Sequence, residues 1–574
     1  MMNDFDFGNY LCLLREKKGL SQKELADLLG ISDKAVSKWE NGRSKPKSQS
    51  IMRLAQLYGV SVDDLLSCGR RFERKDATVV SPLEGLPGKA VSRQKRREKM
   101  NFIPEISSEN YDYMCTWANQ KLPAKELGIT GECCSEMRDS LTDETLFGKR
   151  NYFHPFEESY RSGLYLIVDD GWDVPFGSKN RADAPNVFGW CDPDQEKFPG
   201  YGNTPTERLR TLCEKVKALG YAGLGLWISP QMRFEDRKSL APLDESREYW
   251  VKRARWCHEA GISYWKIDWG RHCMQADYRR MMTEVAREYA PGLIVEHAVC
   301  QPPFSRMGNI EGRKALTKTL LPYSDVFRLY DVADPFMDSS MLARLDEALS
   351  AGAVAEYGAK GILNAEVCPE ICASMGCAAG VMRAPDAGGM MRACLRWHRI
   401  APPYSIFGSV YKRSDEYLTD DFYFESDPAN WIHVKGKTLT ESAPAVMARD
   451  CELPVVKASA VKPFICASKN PSGAYSIAAI KRTIDPNAGF TALADVVFRI
   501  GKADAPVGIF GLFRSLTLVY GENIVGKRVF MQEILEDSTR DITGDCVIDG
   551  QRIVIDGRLF RNNVPAVVVK VFDE

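Results

Sequence analysis

Residues 165–172 (YLIVDDGW), 223–230 (GLGLWISP), 264–270 (YWKIDWG), 293–297 (LIVEH) and 326–331 (VFRLYD) are apolar runs of strand length that end in polar residues. No other feature limits the fold as much. Burying polar groups at the end of an apolar strand is costly unless they are paired or used. In the third run Lys266 and Asp268 are two apart, so a strand would aim both at one face. A structural ion pair would also satisfy that spacing. Between the runs lie helical patterns. Leu209, Leu212, Cys213, Val216 and Leu219 share one face before Gly220, and Glu245 to Ala260 repeats the arrangement before Gly261. Strand–helix alternation predicts a parallel sheet. Polar residues gathered at the C-terminal strand ends point to a (β/α)8 barrel enzyme. Further strands are expected at Tyr113–Trp117, Ile362–Glu366 and Pro403–Phe407.

From about Trp117 to the early 400s, the order YLIVDDGW, KFPGYG, a helix, GYAGLGLWISP and YWKIDWG resembles the α-galactosidase (melibiase) group of retaining glycoside hydrolases. That resemblance implies a TIM barrel with Asp268 as nucleophile. It implies an acid/base aspartate after the strand carrying Arg328. Asp331 fits best; Asp325 and Asp334 stay open because the Arg-to-Asp gap is one residue shorter than usual. Asp169 and Asp170 would hold two sugar hydroxyls, and both reach one pocket only if the chain turns at Gly171. Lys266 would contact the sugar and keep Asp268 ionised. Trp117, Trp172 and Trp227 sit near strand ends, where rings stack on sugar C–H faces or pack in the core. The loop with Gln301 and Phe304 would abut the sugar's C2 substituent. Both side chains are large, so a free 2-hydroxyl is expected over an acetamide. No cofactor is implied.

Residues 7–67 carry a separate pattern, expected as five helices. Ser21 and Glu24 form a capping box, and Gly30 permits a tight turn. The string S-Q-x-x-L-A-x-x-x-G-I-S-x-x-x-V-S-x-W-E-N-G resembles the Cro/CI (Xre-type) helix-turn-helix family. Ala26, Ile31 and Val36 would pack the second helix on the third. Asp33, Lys34, Ser37 and Lys38 are then left outward to reach base edges, while Gln22, Asn41, Arg43 and Lys45 would hold phosphates. Such modules usually pair, so a homodimer on DNA is expected.

The expected architecture is multidomain. An all-α helix-turn-helix domain (1–68) precedes a linker (69–110) whose basic run, Lys89–Lys99, is a solvated face or a DNA-backbone contact. A TIM barrel (111–450) and an antiparallel β-sandwich (451–574) follow. The sandwich reading rests on alternating strands such as Tyr475–Ile480, Val496–Ile500, Leu516–Tyr520 and Ala566–Val571, and on a hairpin turning at Asp549-Gly550. Net charge is -1, so no whole-chain field attracts a polyanion. The N-terminus has neither a basic start nor a long apolar run, so neither a signal peptide nor a membrane span is expected. A cytoplasmic location and free thiols among the 17 cysteines follow. Cys133-Cys134 and Cys368, Cys372 and Cys377 lack the spacing of a zinc ribbon, so no metal site is expected. Two function classes remain: a glycosidase that also binds DNA, and a regulator whose barrel senses sugar without hydrolysing it.

Overall fold

The computed structural model describes residues 11–12, 14–15, 18, 20–40, 44, 46, 48–58, 100–105, 110–120, 134–149, 156–177, 187–233, 235, 241–298, 310–329, 338–382, 388–424, 437–457, 462–482, 493–560 and 563–573. The chain divides into two units, residues 1–88 and 89–574.

In the first unit, helix α1 spans Gln22–Leu29, α2 Asp33–Glu40 and α3 Ser48–Tyr58. Ser21 Oγ accepts the Glu24 N–H at 3.2 Å, and Glu24 Oε2 accepts the Ser21 N–H at 2.7 Å. Gly30 ends α1 at φ +68°, a conformation a side chain would strain. Leu25, Ala26, Leu29, Val36, Trp39 and Leu54 form the core with Leu11 and Leu14, and Ile31 packs against it. Arg15 and Glu40 form a buried ion pair at 2.7 Å, which ties α2 to the chain before α1. The helix expected at Val62–Leu66 and the basic run at 89–99 lie outside the described residues.

In the second unit, β1 (Tyr113–Cys115), β2 (Tyr165–Val168), β3 (Gly223–Ile228), β4 (Tyr264–Ile267), β5 (Ile294–Ala298), β6 (Val326–Arg328), β7 (Ile362–Asn364) and β8 (Gly380–Val381) form one sheet. Its order is β7-β6-β5-β4-β3-β2-β1-β8. Every pairing is parallel. A single bridge, Asn364 to Ala378, brings β7 to the segment entering β8, so the sheet nearly closes. Helices Pro205–Ala218, Leu243–Ala260, Ala276–Tyr289, Ile310–Leu320, Asp338–Ser350 and Pro369–Met375 connect successive strands from β2 onward. Parallel neighbours need such crossovers.

The eighth strand is not where it was expected. Residues 403–407 have no strand structure, and β8 lies at Gly380–Val381 instead. Pro402 and Pro403 lack the N–H groups a ladder requires. The true strand is two residues long and sits among small residues that show no alternation.

Among the described residues three further sheets follow: a two-stranded pair, Tyr417–Phe424 with Lys437–Pro444, one of eight strands and one of five. The strands expected at 475–480, 496–500, 516–520 and 566–571 are present, the last three each one residue longer, as is the hairpin turning at Gly550. The eight-stranded sheet is mixed, not purely antiparallel: Val446–Arg449 runs parallel to Phe464–Lys469, and Tyr475–Ile480 to Val507–Gly511. Long connections make this possible where hairpins could not. The larger sheet takes in Tyr411–Arg413 and Val446–Arg449, both ahead of the boundary expected at 451. Within the stretch read as linker, the Phe102 N–H donates to Gln532 Oε1 at 2.6 Å, and Ile103 is buried in the core. No helix among the described residues is long and apolar enough to cross a membrane.

Arg449 joins the barrel region to the larger sheet. Its buried guanidinium donates to the carbonyls of Met375 and Tyr404, each at 2.9 Å, and to Ser409 Oγ at 3.1 Å. Arg449→Ala leaves those acceptors without a donor. We expect a loss of about 3 kcal/mol or more, read as a lower midpoint in urea. An unchanged midpoint would mean water replaces the guanidinium.

Candidate functional site

Side chains from β1 to β7 converge at the C-terminal end of the barrel-like sheet. Lys266 leaves β4 and meets Asp169, the residue after β2, at 2.8 Å. Cys115 at the end of β1 donates its thiol to Asp169 Oδ2 at 3.0 Å. Asp268, one residue past β4, sits 2.9 Å from Arg328 Nη2 and accepts the Trp227 indole N–H at 3.0 Å. Arg328 also donates to Glu366 Oε1 at 3.2 Å and lies 3.8 Å from Glu296 Oε1. Tyr264 Oη and Asn364 Nδ2 donate to Glu296 Oε2 at 2.6 and 3.0 Å, and Tyr113 Oη donates to Glu366 Oε1 at 2.5 Å. Lys266, Asp268, Glu296, Arg328 and Glu366 are all buried.

The charges do not balance. Four carboxylates (Asp169, Asp268, Glu296, Glu366) face two cations (Lys266, Arg328) in this cluster. Among the described residues the cluster thus holds more carboxylates than cations, an arrangement that favours a proton on one of them. Burial raises the Glu296 pKa, although Arg328 and Lys266 oppose the shift. Burial also works against the Lys266 charge, but Asp169 leads the groups that outweigh it, and its pKa stands well above the usual lysine value. The site can therefore combine an ion-paired carboxylate with a proton-bearing one.

The cation on Asp268 is Arg328, whereas Lys266 was expected there. Asp268 lies beyond the end of β4, so strict alternation no longer aims it beside Lys266. Asp169 and Asp170 do not share one partner. Gly171 turns the chain at φ +122° as expected. Yet Asp170 takes a bidentate pair with Arg138, at 2.8 Å on each oxygen. Trp172 is buried in the core and donates to the Trp227 carbonyl at 2.9 Å, which leaves its ring no sugar to stack on. Trp227 is buried too and serves Asp268 through its N–H. Trp117 is half-buried. Asp325 precedes β6, accepts the Val295 N–H at 2.9 Å and pairs with Arg287 at 2.6 Å. It stands at the end of the sheet opposite Asp268, which removes it as an acid/base candidate. Asp331, Asp334, Gln301 and Phe304 lie outside the described residues.

Glu296 and Glu366 were not singled out from sequence. Glu366 ends an apolar strand just as Asp268 does, so the signal was there. It also holds φ +40°, a strained conformation for a residue with a side chain. Among the described residues, no group of three or more His, Cys, Asp or Glu could hold a metal ion.

Asp173 lies buried beyond the Asp-Asp turn. Its Oδ2 accepts the Cys191 N–H at 2.9 Å, and its Oδ1 has no hydrogen-bond partner among the described residues. Burial pushes its pKa up to about 7, from an ordinary 3.8. The native state thus keeps a proton that the unfolded chain releases, so stability falls as pH rises through that window. The loss is roughly 1.4 kcal/mol per pH unit. Asp173→Asn cannot ionise and should flatten this dependence in melts between pH 4 and 7. Parallel curves for the two proteins would show that Asp173 does not titrate there.

On α2, Asp33, Lys34 and Lys38 are exposed and Ser37 is half-buried, while Val36, Trp39 and Glu40 turn inward. Gln22 Nε2 donates to Glu40 Oε2 at 2.8 Å, so its amide is engaged within the domain. Asn41, Arg43 and Lys45 lie outside the described residues.

Residues 13–65 match the family described as HTH_3, helix-turn-helix. The chain is 39% identical over 62 residues to the HTH-type transcriptional activator BcrR of Enterococcus faecalis, covering 11% of this chain and 30% of BcrR. It is 40% identical over 60 residues to the prophage-derived HTH-type regulator YonR of Bacillus subtilis, covering 10% of this chain and 56% of YonR. Among solved structures, the restriction-modification controller protein C.AhdI of Aeromonas hydrophila is 34% identical, with 11% of this chain and 94% of that one covered and a TM-score of 0.11. The chain thus spans less than two thirds of the curated relatives' length. The N-terminal segment of this chain, residues 13–65, is a helix-turn-helix domain of the HTH_3 family.

Proposed function

We propose that this protein is a cytoplasmic DNA-binding regulator whose barrel binds and hydrolyses an α-galactoside-like sugar. The helix-turn-helix domain reads an operator as a homodimer, with Lys34, Ser37 and Lys38 toward the bases. The barrel acts by retention: Asp268 attacks the anomeric carbon, and Asp331 gives and then takes the proton. The observation that carries this reading is Asp268 itself. It is a buried carboxylate past the end of β4, held between Arg328 at 2.9 Å and the Trp227 indole at 3.0 Å. A cation and a donor keep it ionised and aimed, as a nucleophile needs. Lys266 and Asp169 then offer a paired donor and acceptor for sugar hydroxyls. The eight-stranded and five-stranded sheets after the barrel form a sandwich that packs on it. Turnover of a chromogenic α-galactoside by purified protein is the direct test.

A second reading is a sugar sensor whose barrel no longer hydrolyses. The helix-turn-helix match at residues 13–65 favours it, because a DNA reader needs a ligand signal and not turnover. Sugar binding without turnover would select this reading.

By the size of their side chains and the family resemblance of their loop, Gln301 and Phe304 would leave little room for an acetamide at C2. The nitrophenyl α-galactoside should be turned over at least about tenfold faster than its N-acetylgalactosaminide counterpart, as a mismatched buried polar group requires. Comparable rates would mean that this loop does not line the pocket.

A further inference from the structure

The larger C-terminal sheet carries a cavity of about 850 Å³, a size suited to a small molecule. It is bounded by the 404–409 loop, Asp450 and the turns at 469–475 and 501–506. The Ile406 N–H donates to the Gly361 carbonyl at 2.9 Å, just before β7 begins. That places the loop at the N-terminal end of the barrel strands, away from the end that holds Asp268.

Its lining is unusual in what it leaves unmet. Tyr404 is 9% exposed, and its buried hydroxyl makes no close hydrogen bond among the described residues, although Asp450 lies beside it. Such a group normally finds a partner in protein, water or ligand. Lys469 and Lys502 are exposed at the cavity and form no ion pair among the described residues. Lys469 instead stands 5.7 Å from the Tyr475 ring centroid. Tyr475 is itself fixed, because its Oη accepts the Gly501 N–H at 3.1 Å. Asp504 adds an exposed carboxylate to the wall, and Asp450, which also accepts the Val410 N–H at 2.7 Å, adds a second. The cavity therefore combines two ammonium groups without an ion-pair partner among the described residues, a tyrosine hydroxyl, and carboxylate acceptors for hydroxyls.

We propose that this cavity is a second ligand site that takes a phosphorylated monosaccharide. The phosphate meets Lys469 and Lys502, the Tyr404 hydroxyl bonds the ligand, and Asp450 and Asp504 receive sugar hydroxyls. The protein then reads a sugar phosphate at one end of the barrel independently of whatever chemistry the other end performs.

Titration calorimetry on the full chain tests this with four probes: glucose 6-phosphate, galactose 1-phosphate, galactose and inorganic phosphate. One hexose phosphate at least should bind more than tenfold tighter than inorganic phosphate or galactose. Lys469→Ala with Lys502→Ala should weaken that binding at least tenfold with an unchanged melting curve, since both side chains are exposed. Tyr404→Phe should weaken it less, and Asp268→Asn should leave it unchanged. Equal affinity for inorganic phosphate, or for galactose, would overturn the assignment of ligand. No binding at millimolar concentration, or binding lost with Asp268→Asn and kept in the lysine pair, would overturn the site.

Discussion

Asp268→Asn should lower hydrolysis of a chromogenic α-galactoside by about 10⁴-fold or more, the scale seen when a nucleophile is removed. The amide is nearly the same size and can still accept from the Trp227 indole, which lies 3.0 Å away. What changes is the charge next to Arg328, now 2.9 Å from a neutral group. Arg328 keeps Glu366 at 3.2 Å and Glu296 at 3.8 Å, so its charge is not left alone. The substitution also removes one of the four carboxylates that cluster there among the described residues. Folding should therefore survive, and the loss should fall on turnover. Turnover and sugar affinity, measured together, separate the two readings of the barrel. Lost turnover with retained binding supports a working nucleophile. Wild-type turnover in the variant removes Asp268 from that role. If the wild type binds sugar and never turns it over, the barrel is a sensor.

The barrel strands were legible because each is a buried apolar run with polar residues at its end, and helical faces punctuate them. Residues 165–168, 223–228 and 264–267 are strands where that pattern placed them. The pattern fails where burial leaves no contrast. Gly380–Val381 is too short and its neighbours too small to alternate. Pairing between side chains was less legible than strand position. Sequence spacing sets Lys266 beside Asp268, but the partner of each comes from a strand two places away from β4 in the sheet. Asp169 arrives from the end of β2 and Arg328 from β6. The same limit applies to Asp170, whose partner Arg138 lies 32 residues earlier on a short helix. Trp172 and Trp227 show a further limit. A tryptophan near a strand end reads alike whether it faces a ligand or the core, and here both are buried.

The other large effect is expected on DNA. Lys34 and Lys38 are one helical turn apart on α2 and exposed, so they share a face. Neither forms an ion pair among the described residues. The helix is held from its other face by Val36 and Trp39, and at its end by the buried Glu40–Arg15 pair. Replacing both lysines with alanine removes nothing from that core, and alanine favours helix. The domain should melt as before. Binding should still fall, because a lysine at a base edge contributes roughly 1–3 kcal/mol and the two together about a hundredfold or more. A lysine that only neutralises phosphate behaves differently. Its loss weakens all sequences alike and reduces the salt slope by about one per residue. Binding to the site that the wild type selects from a random pool, measured against a scrambled site at two salt concentrations, distinguishes these outcomes. A larger loss on the selected site places the lysines at bases. Equal losses with a shallower salt slope place them on the backbone. Unchanged binding to both would mean that this helix does not face DNA, and the domain would then be read as a surface for another protein.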